Sequence, residues 1–75
     1  MFQKYSPRSR LVKLRKEKGY TQEQMARLLK VTRATYANYE TGYRSPSLKS
    51  IIEMKKILGT EDDKIFLPIK DTKGV

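Results

Sequence analysis

TQEQMARLLKVTRATYANYETG, residues 21–42, decides the fold, because it codes for two short helices joined by a tight turn. Thr21 is a good N-cap, with Gln24 three residues on at capping-box spacing and Tyr20 and Met25 at the staple positions. Met25, Ala26 and Leu29 then fall on one helical face, and Gln22, Glu23, Arg27 and Lys30 point elsewhere. A second start follows at Thr32, again stapled, by Val31 and Tyr36. The connection is therefore only about three residues, short enough to force a steep crossing.

On a wheel of ~100° per residue, Thr35, Tyr36, Tyr39 and Glu40 share one side of the second helix. Ala34, Ala37, Asn38 and Thr41 share the other, flanked by Arg33. So small and uncharged an outer face is not needed for solubility, but it suits a helix lying in the ~12 Å major groove of DNA. The alternative is a helical hairpin whose small-residue face packs on another protein.

Composition weighs toward nucleic acid. Seventeen Lys and Arg against eight Asp and Glu give 75 residues a formal charge of +9, the footprint of a protein whose partner is a polyanion. Binding a membrane surface would need an exposed apolar helical face, and the few apolar faces here are required for the core. With no cysteine and no histidine there is no disulfide framework and no usual zinc ligand, so no metal or other cofactor is expected. Residues 1–7 lack a signal-peptide core and no stretch is long enough to span a membrane. The expectation is a cytosolic, unprocessed protein, nucleoid-associated when bound to DNA.

Outward from the central unit, residues 1–7 are expected to form an arm carrying Phe2 and Tyr5. Ser6 and Pro7 start a helix over about 7–18, with Gly19 as a left-handed C-cap. Leu11 and Leu14 are its apolar side, with Arg15 beside them; Arg8, Arg10, Lys13, Lys16 and Lys18 make it basic, and at least half of that charge is solvated. Thr41 to Ser47 form a loop with Gly42 as a C-cap, and Ser47 caps a fourth helix with Leu48, Ile51, Ile52 and Leu58 at core spacing, ended by Gly59. Lys55 interrupts that stripe, its stem covering apolar surface and its ammonium in water. Thr60 and Asp63 repeat the capping spacing for a short fifth helix with Ile65 and Phe66, which Pro68 stops. The fold expected is all-α, five helices in one compact domain over residues 8–67, followed by a tail, 68–75.

LRKEKGYTQEQMARLLKVTRATYANYETGYRSPSL resembles the Cro/CI-type (Xre-like) helix-turn-helix domain of phage repressors and bacterial regulators, a lambda-repressor-like fold. The resemblance covers about Arg8 to Phe66. Thr21-Gln22, Ala26, Val31-Thr32-Arg33, Glu40-x-Gly42 and Pro46-Ser47-Leu48 carry it, weak singly and specific together. Lys30, where the family commonly has glycine, and Lys55, where it has a small residue, depart from the pattern.

What the resemblance implies is sequence-specific binding of double-stranded DNA to regulate transcription, here as a repressor on a palindromic operator. Thr32, Arg33, Ala34 and Asn38 match positions that face bases or adjoining phosphates. Arginine suits guanine O6 and N7, asparagine suits adenine N6 and N7, and alanine suits a thymine methyl. Gln22, Thr41, Tyr43 and Arg44 match positions that meet the DNA backbone, which fix register and carry no sequence information. Arg15 and Glu40 match an ion pair joining the first helix to the recognition helix. A weak homodimer is expected, with Ile65, Phe66 and Leu67 as the contact. A rival is action through a protein partner, as an antitoxin, an anti-repressor or a recombination factor. An enzyme is the poorest reading: Glu61, Asp62 and Asp63 look like helix-start charges.

Overall fold

The computed structural model describes residues 7–67, and the Phe2 and Tyr5 arm, the Ser6 cap, Pro68 and the tail lie outside them. Four α-helices follow in order: α1 (Ser9–Glu17), α2 (Gln22–Leu29), α3 (Arg33–Thr41) and α4 (Leu48–Leu58). A single 3₁₀ turn, Asp63–Phe66, stands where a fifth helix was expected. The described residues contain no strand.

Local chemistry explains most boundaries. Thr21 and Gln24 form the reciprocal capping box, with Gln24 N donating to Thr21 Oγ1 at 3.0 Å and Thr21 N to Gln24 Oε1 at 2.9 Å. Thr32 and Ser47 cap α3 and α4 through their hydroxyls alone, each accepting one backbone N–H, from Thr35 and Ser50. The 3₁₀ turn is short because Thr60 spends its hydroxyl on Asp62 N, two residues on, and Asp62 rather than Thr60 caps the turn. Leu67 is already extended, as a residue before proline prefers, so no further turn can be added.

α1 starts two residues later than the Ser6-Pro7 signal predicts, and the reason is tertiary. Arg8 N donates to Glu40 O at 2.8 Å, and the Arg8 guanidinium donates to Phe66 O at 2.8 Å, Tyr39 O at 2.6 Å and Arg44 O at 3.0 Å. These ties hold Arg8 outside the helix. They also make it a half-buried clasp rather than a solvated charge, and burial lowers its pKa.

The core is Leu11, Met25, Ala26, Tyr36, Tyr39, Met54, Leu58 and Ile65, with Leu14, Tyr20, Leu29, Val31, Ile57 and Phe66 packed around it. Tyr36 and Tyr39 meet edge to face, with centroids 6.2 Å apart. Leu48 and Ile52 are not part of it: they are 73% and 47% exposed. At ~100° per residue, Ile51 and Leu58 stand within ~60° of the buried Met54, whereas Leu48 and Ile52 stand ~120° and ~160° away. Their spacing is helical, but the face is the outer one.

Lys55 also differs from its sequence reading. Its ammonium bonds Asp63 Oδ1 at 2.7 Å, tying α4 to the 3₁₀ turn, and that bond raises its pKa. Asp63 is largely exposed, so the pair adds little stability.

Two predictions arise here. Lys30 ends α2 in the left-handed region, φ 60° and ψ 40°, at ~1 kcal/mol of strain for a residue with a Cβ. Lys30→Gly should raise stability by ~0.5–1 kcal/mol, since part of the relief is offset by the freer unfolded chain. Thermal melting checks it, and a lower midpoint would count against it.

The second concerns alkali. The Tyr36 phenol is buried, has no hydrogen-bond partner among the described residues, and is held far above its ordinary pKa, first by desolvation and then by the nearby Glu40 carboxylate. Above pH ~10 the unfolded tyrosine ionises while the folded one keeps its proton, so the folded state binds more protons and stability falls with pH. The slope from this group approaches ~1.4 kcal/mol per pH unit. Denaturant midpoints between pH 9 and 12 should show it, and Tyr36→Phe should flatten it.

Candidate nucleic-acid interface

The helix-turn-helix is α2, the three residues Lys30, Val31 and Thr32, and α3. The left-handed Lys30 reverses the chain, and Val31 N closes the end of α2 on Ala26 O at 3.0 Å. Thr32 then opens α3, with Thr35 N donating to its Oγ1 at 3.0 Å and that hydroxyl donating to Thr35 Oγ1 at 2.9 Å.

Three inward side chains set the orientation of α3. Tyr36, Tyr39 and Glu40 are buried, and this leaves Arg33, Ala34 and Thr41 exposed and Ala37 and Asn38 half-buried on the opposite side. No acidic residue sits in the first turn, so the positive end of the helix and Arg33 present one sign of charge.

Glu40 is the anchor. Arg15 Nε stands 2.6 Å from Glu40 Oε2, Arg15 Nη2 stands 3.4 Å from Oε1, and both side chains are over nine-tenths buried. Arg15 Nη1 also donates to Tyr20 O at 2.8 Å, ahead of α2. Gln22 Nε2 donates to Glu40 Oε1 at 2.8 Å, so one network joins α1, α2 and α3. A phosphate only accepts hydrogen bonds, and the Gln22 amide nitrogen keeps a second hydrogen for one. Its backbone N–H, in the first turn of α2, is another donor aimed outward.

After α3, Gly42 takes the left-handed conformation, and Gly42 N and Arg44 N both donate to Asn38 O, at 3.2 and 3.1 Å. Tyr43 N donates to Thr41 Oγ1 at 3.3 Å. The loop therefore folds back on the last turn of α3, holding Thr41, Tyr43 and Arg44, all exposed, beside the outer face. Arg8 secures the loop from behind through Arg44 O. Sequence reasoning missed this role, because one arginine among seventeen basic residues carries no local sign of three carbonyl partners.

The residues expected to form a dimer contact are divided. Ile65 is buried in the core, Phe66 packs against it and is partly buried, and Leu67 is 52% exposed. Among the described residues no cluster of His, Cys, Asp and Glu fits a metal ion, and no helix is long and apolar enough to cross a membrane.

A helix-turn-helix family matches the chain over residues 11–65. Over 54 residues the chain is 44% identical to the SPbeta prophage-derived uncharacterized HTH-type transcriptional regulator YonR of Bacillus subtilis (strain 168), covering 72% of this chain and 50% of that protein. It is 39% identical over 57 residues to the HTH-type transcriptional regulator AnsR of the same organism, covering 76% and 49%. The chain thus spans about half the length of these curated relatives. Among solved structures, the restriction-modification controller protein C.AhdI from Aeromonas hydrophila superposes with a TM-score of 0.69 at 33% identity, covering 77% of this chain and 88% of that one. The hypothetical transcription factor NHTF from Neisseria, at 24% identity and a TM-score of 0.67 over 92% of this chain and 88% of its own, shares the fold.

Proposed function

The chain belongs to the helix-turn-helix family of DNA-binding transcriptional regulators, of Cro/CI type, and from that premise we propose that it is a repressor that reads a palindromic operator as a two-fold dimer. In this reading α3 lies in the major groove. Arg33, Ala34 and Asn38 face base edges, with Thr32 at the margin because its hydroxyl already serves as the cap. Gln22, Thr41, Tyr43 and Arg44 meet the backbone and fix register. The observation that carries the reading is the two-sidedness of α3: Tyr36, Tyr39 and Glu40 are locked inward, and a small outer face stands between two arginines, Arg33 and Arg44.

A dimer follows from information content. One recognition helix reads about four to six base pairs, too few to pick a site among the ~10⁶ competing positions of a genome. Two copies on one face of the duplex stand ~34 Å apart, one turn of DNA.

Selection of bound duplexes from a random pool tests the proposal. It should return a palindromic motif with half-site centres ~10 base pairs apart, bound with an affinity that falls steeply with salt as counterions are released. If no motif emerges and every duplex competes equally, action through a protein partner becomes the better account.

A further inference from the structure

α3 ends without a cation of its own. Its last turn holds no basic residue, and the carbonyls of its final turn must find donors outside the helix. Asn38 O is met by the following loop, through Gly42 N and Arg44 N. The next two are met from another element: Tyr39 O accepts from Arg8 Nη1 at 2.6 Å and Glu40 O from Arg8 N at 2.8 Å. A residue just ahead of α1 therefore closes the end of α3, with its positive charge at the negative pole of that helix.

The same guanidinium reaches two further segments. Nη1 also donates to Arg44 O at 3.0 Å, and Nε donates to Phe66 O at 2.8 Å. The backbone of Arg44 is thus held on both sides, its N–H on Asn38 O and its carbonyl on Arg8, yet the residue is exposed.

We propose that Arg8 is a positioning residue for DNA binding: it touches no DNA itself and sets the loop that presents Thr41, Tyr43 and Arg44 to the phosphates. The inference rests on the operator-reading function above and concerns its backbone contacts. Pre-organisation is the physical reason. A loop already held in place gives up less freedom when it meets a phosphate, so more of each contact appears as affinity. Direct contact is the poorer account, because Nε and both Nη1 hydrogens are spent on carbonyls within the protein and Arg8 is half-buried. Of the four hydrogen bonds that Arg8 donates, three end on residues 39, 40 and 44, so the tie is concentrated where the recognition helix meets its loop. Lysine is no substitute, since a single ammonium lacks the planar fork that spans three carbonyls.

The test compares Arg8→Gln and Arg8→Lys with the parent, as full chains, on a duplex recovered by the selection described above and on a random one. Lysine keeps a cation at the end of α3 and so holds the fold if glutamine does not. Both variants should bind the two duplexes more weakly by a like factor, on the order of 3- to 10-fold, the scale of one hydrogen bond lost. Amide hydrogen exchange should quicken more at Gly42 and Arg44 than at Met25 in α2. Leu14→Ala, a core change outside the interface, should lower the melting midpoint and leave both affinities as they are. The deciding measurement is a double-mutant cycle: on an Arg44→Ala background, Arg8→Lys should change affinity by only about 2-fold or less, because the main contact it positions is gone. Fully additive losses, an Arg8 variant that binds like the parent, or an equal loss in Leu14→Ala would overturn the role and leave operator reading standing. If the parent prefers no duplex over a generic competitor, operator reading falls, and this role of Arg8 falls with it.

Discussion

Arg15→Met is expected to lower stability by ~3–5 kcal/mol, the cost of leaving a buried carboxylate without its cation. The side chains of Arg15 and Glu40 are only 8% and 5% exposed, so water cannot take over the role of the guanidinium. Small domains hold ~5–15 kcal/mol in all, and each kilocalorie moves the midpoint of a domain this size by ~4–8 °C. The loss should therefore show as a fall of ~15 °C or more in a thermal melt, or as a chain partly unfolded at 37 °C. Arg15→Met with Glu40→Leu should recover much of it, because the second change removes the stranded charge. A single variant that melts like the parent would show that the pair is solvated in solution.

The same network predicts a functional consequence that stability alone does not. Glu40 Oε1 accepts from Gln22 Nε2, so the double variant restores packing but releases the Gln22 amide. A chain that melts normally and binds duplex DNA less tightly would assign Gln22 its backbone contact. Equal binding would leave Gln22 as part of the helix junction.

How much of this was legible in the sequence depends on the range of the interaction that decides each feature. The capping box at Thr21 and Gln24, the hydroxyl caps at Thr32 and Ser47, the three-residue turn and the left-handed ends at Gly42 and Gly59 are local, and residue types at fixed offsets specify them. The inward face of α3 was legible too, because Tyr36, Tyr39 and Glu40 share one side of a single helix. The sequence could not reveal which of two helical stripes on α4 turns inward, since 48–52 and 51–54–58 both have helical spacing and only the position of α4 against its neighbours selects Met54 and Leu58. Nor could it reveal the clasp at Arg8, whose acceptors are backbone carbonyls 31, 36 and 58 residues away. A carbonyl has no sequence identity. The Arg15–Glu40 pair was reachable only through the family pattern, because their separation of 25 residues exceeds any local rule.

Replacing both Arg33 and Asn38 by alanine is expected to remove most sequence discrimination while leaving the fold and the general affinity for DNA in place. Arg33 is exposed at the first position of α3, and Asn38 lies on the same outer side, half-buried, with its backbone carbonyl holding the following loop. The loop bonds use that carbonyl and not the Asn38 side chain, so alanine at 38 leaves them intact. A bidentate side-chain contact to the correct base is worth ~1–3 kcal/mol, and contacts to well-separated base pairs add roughly. The double variant should thus lose ~2–6 kcal/mol on the selected operator, about 30-fold to beyond 10⁴-fold, and little on random duplex. Arg44→Ala makes the contrast, because a phosphate contact is the same on every sequence. It should weaken operator and random DNA alike and reduce the dependence of affinity on salt by about one counterion. Paired titrations on both duplexes at two salt concentrations separate the cases, and an Arg33→Ala loss equal on both would place Arg33 among the backbone contacts.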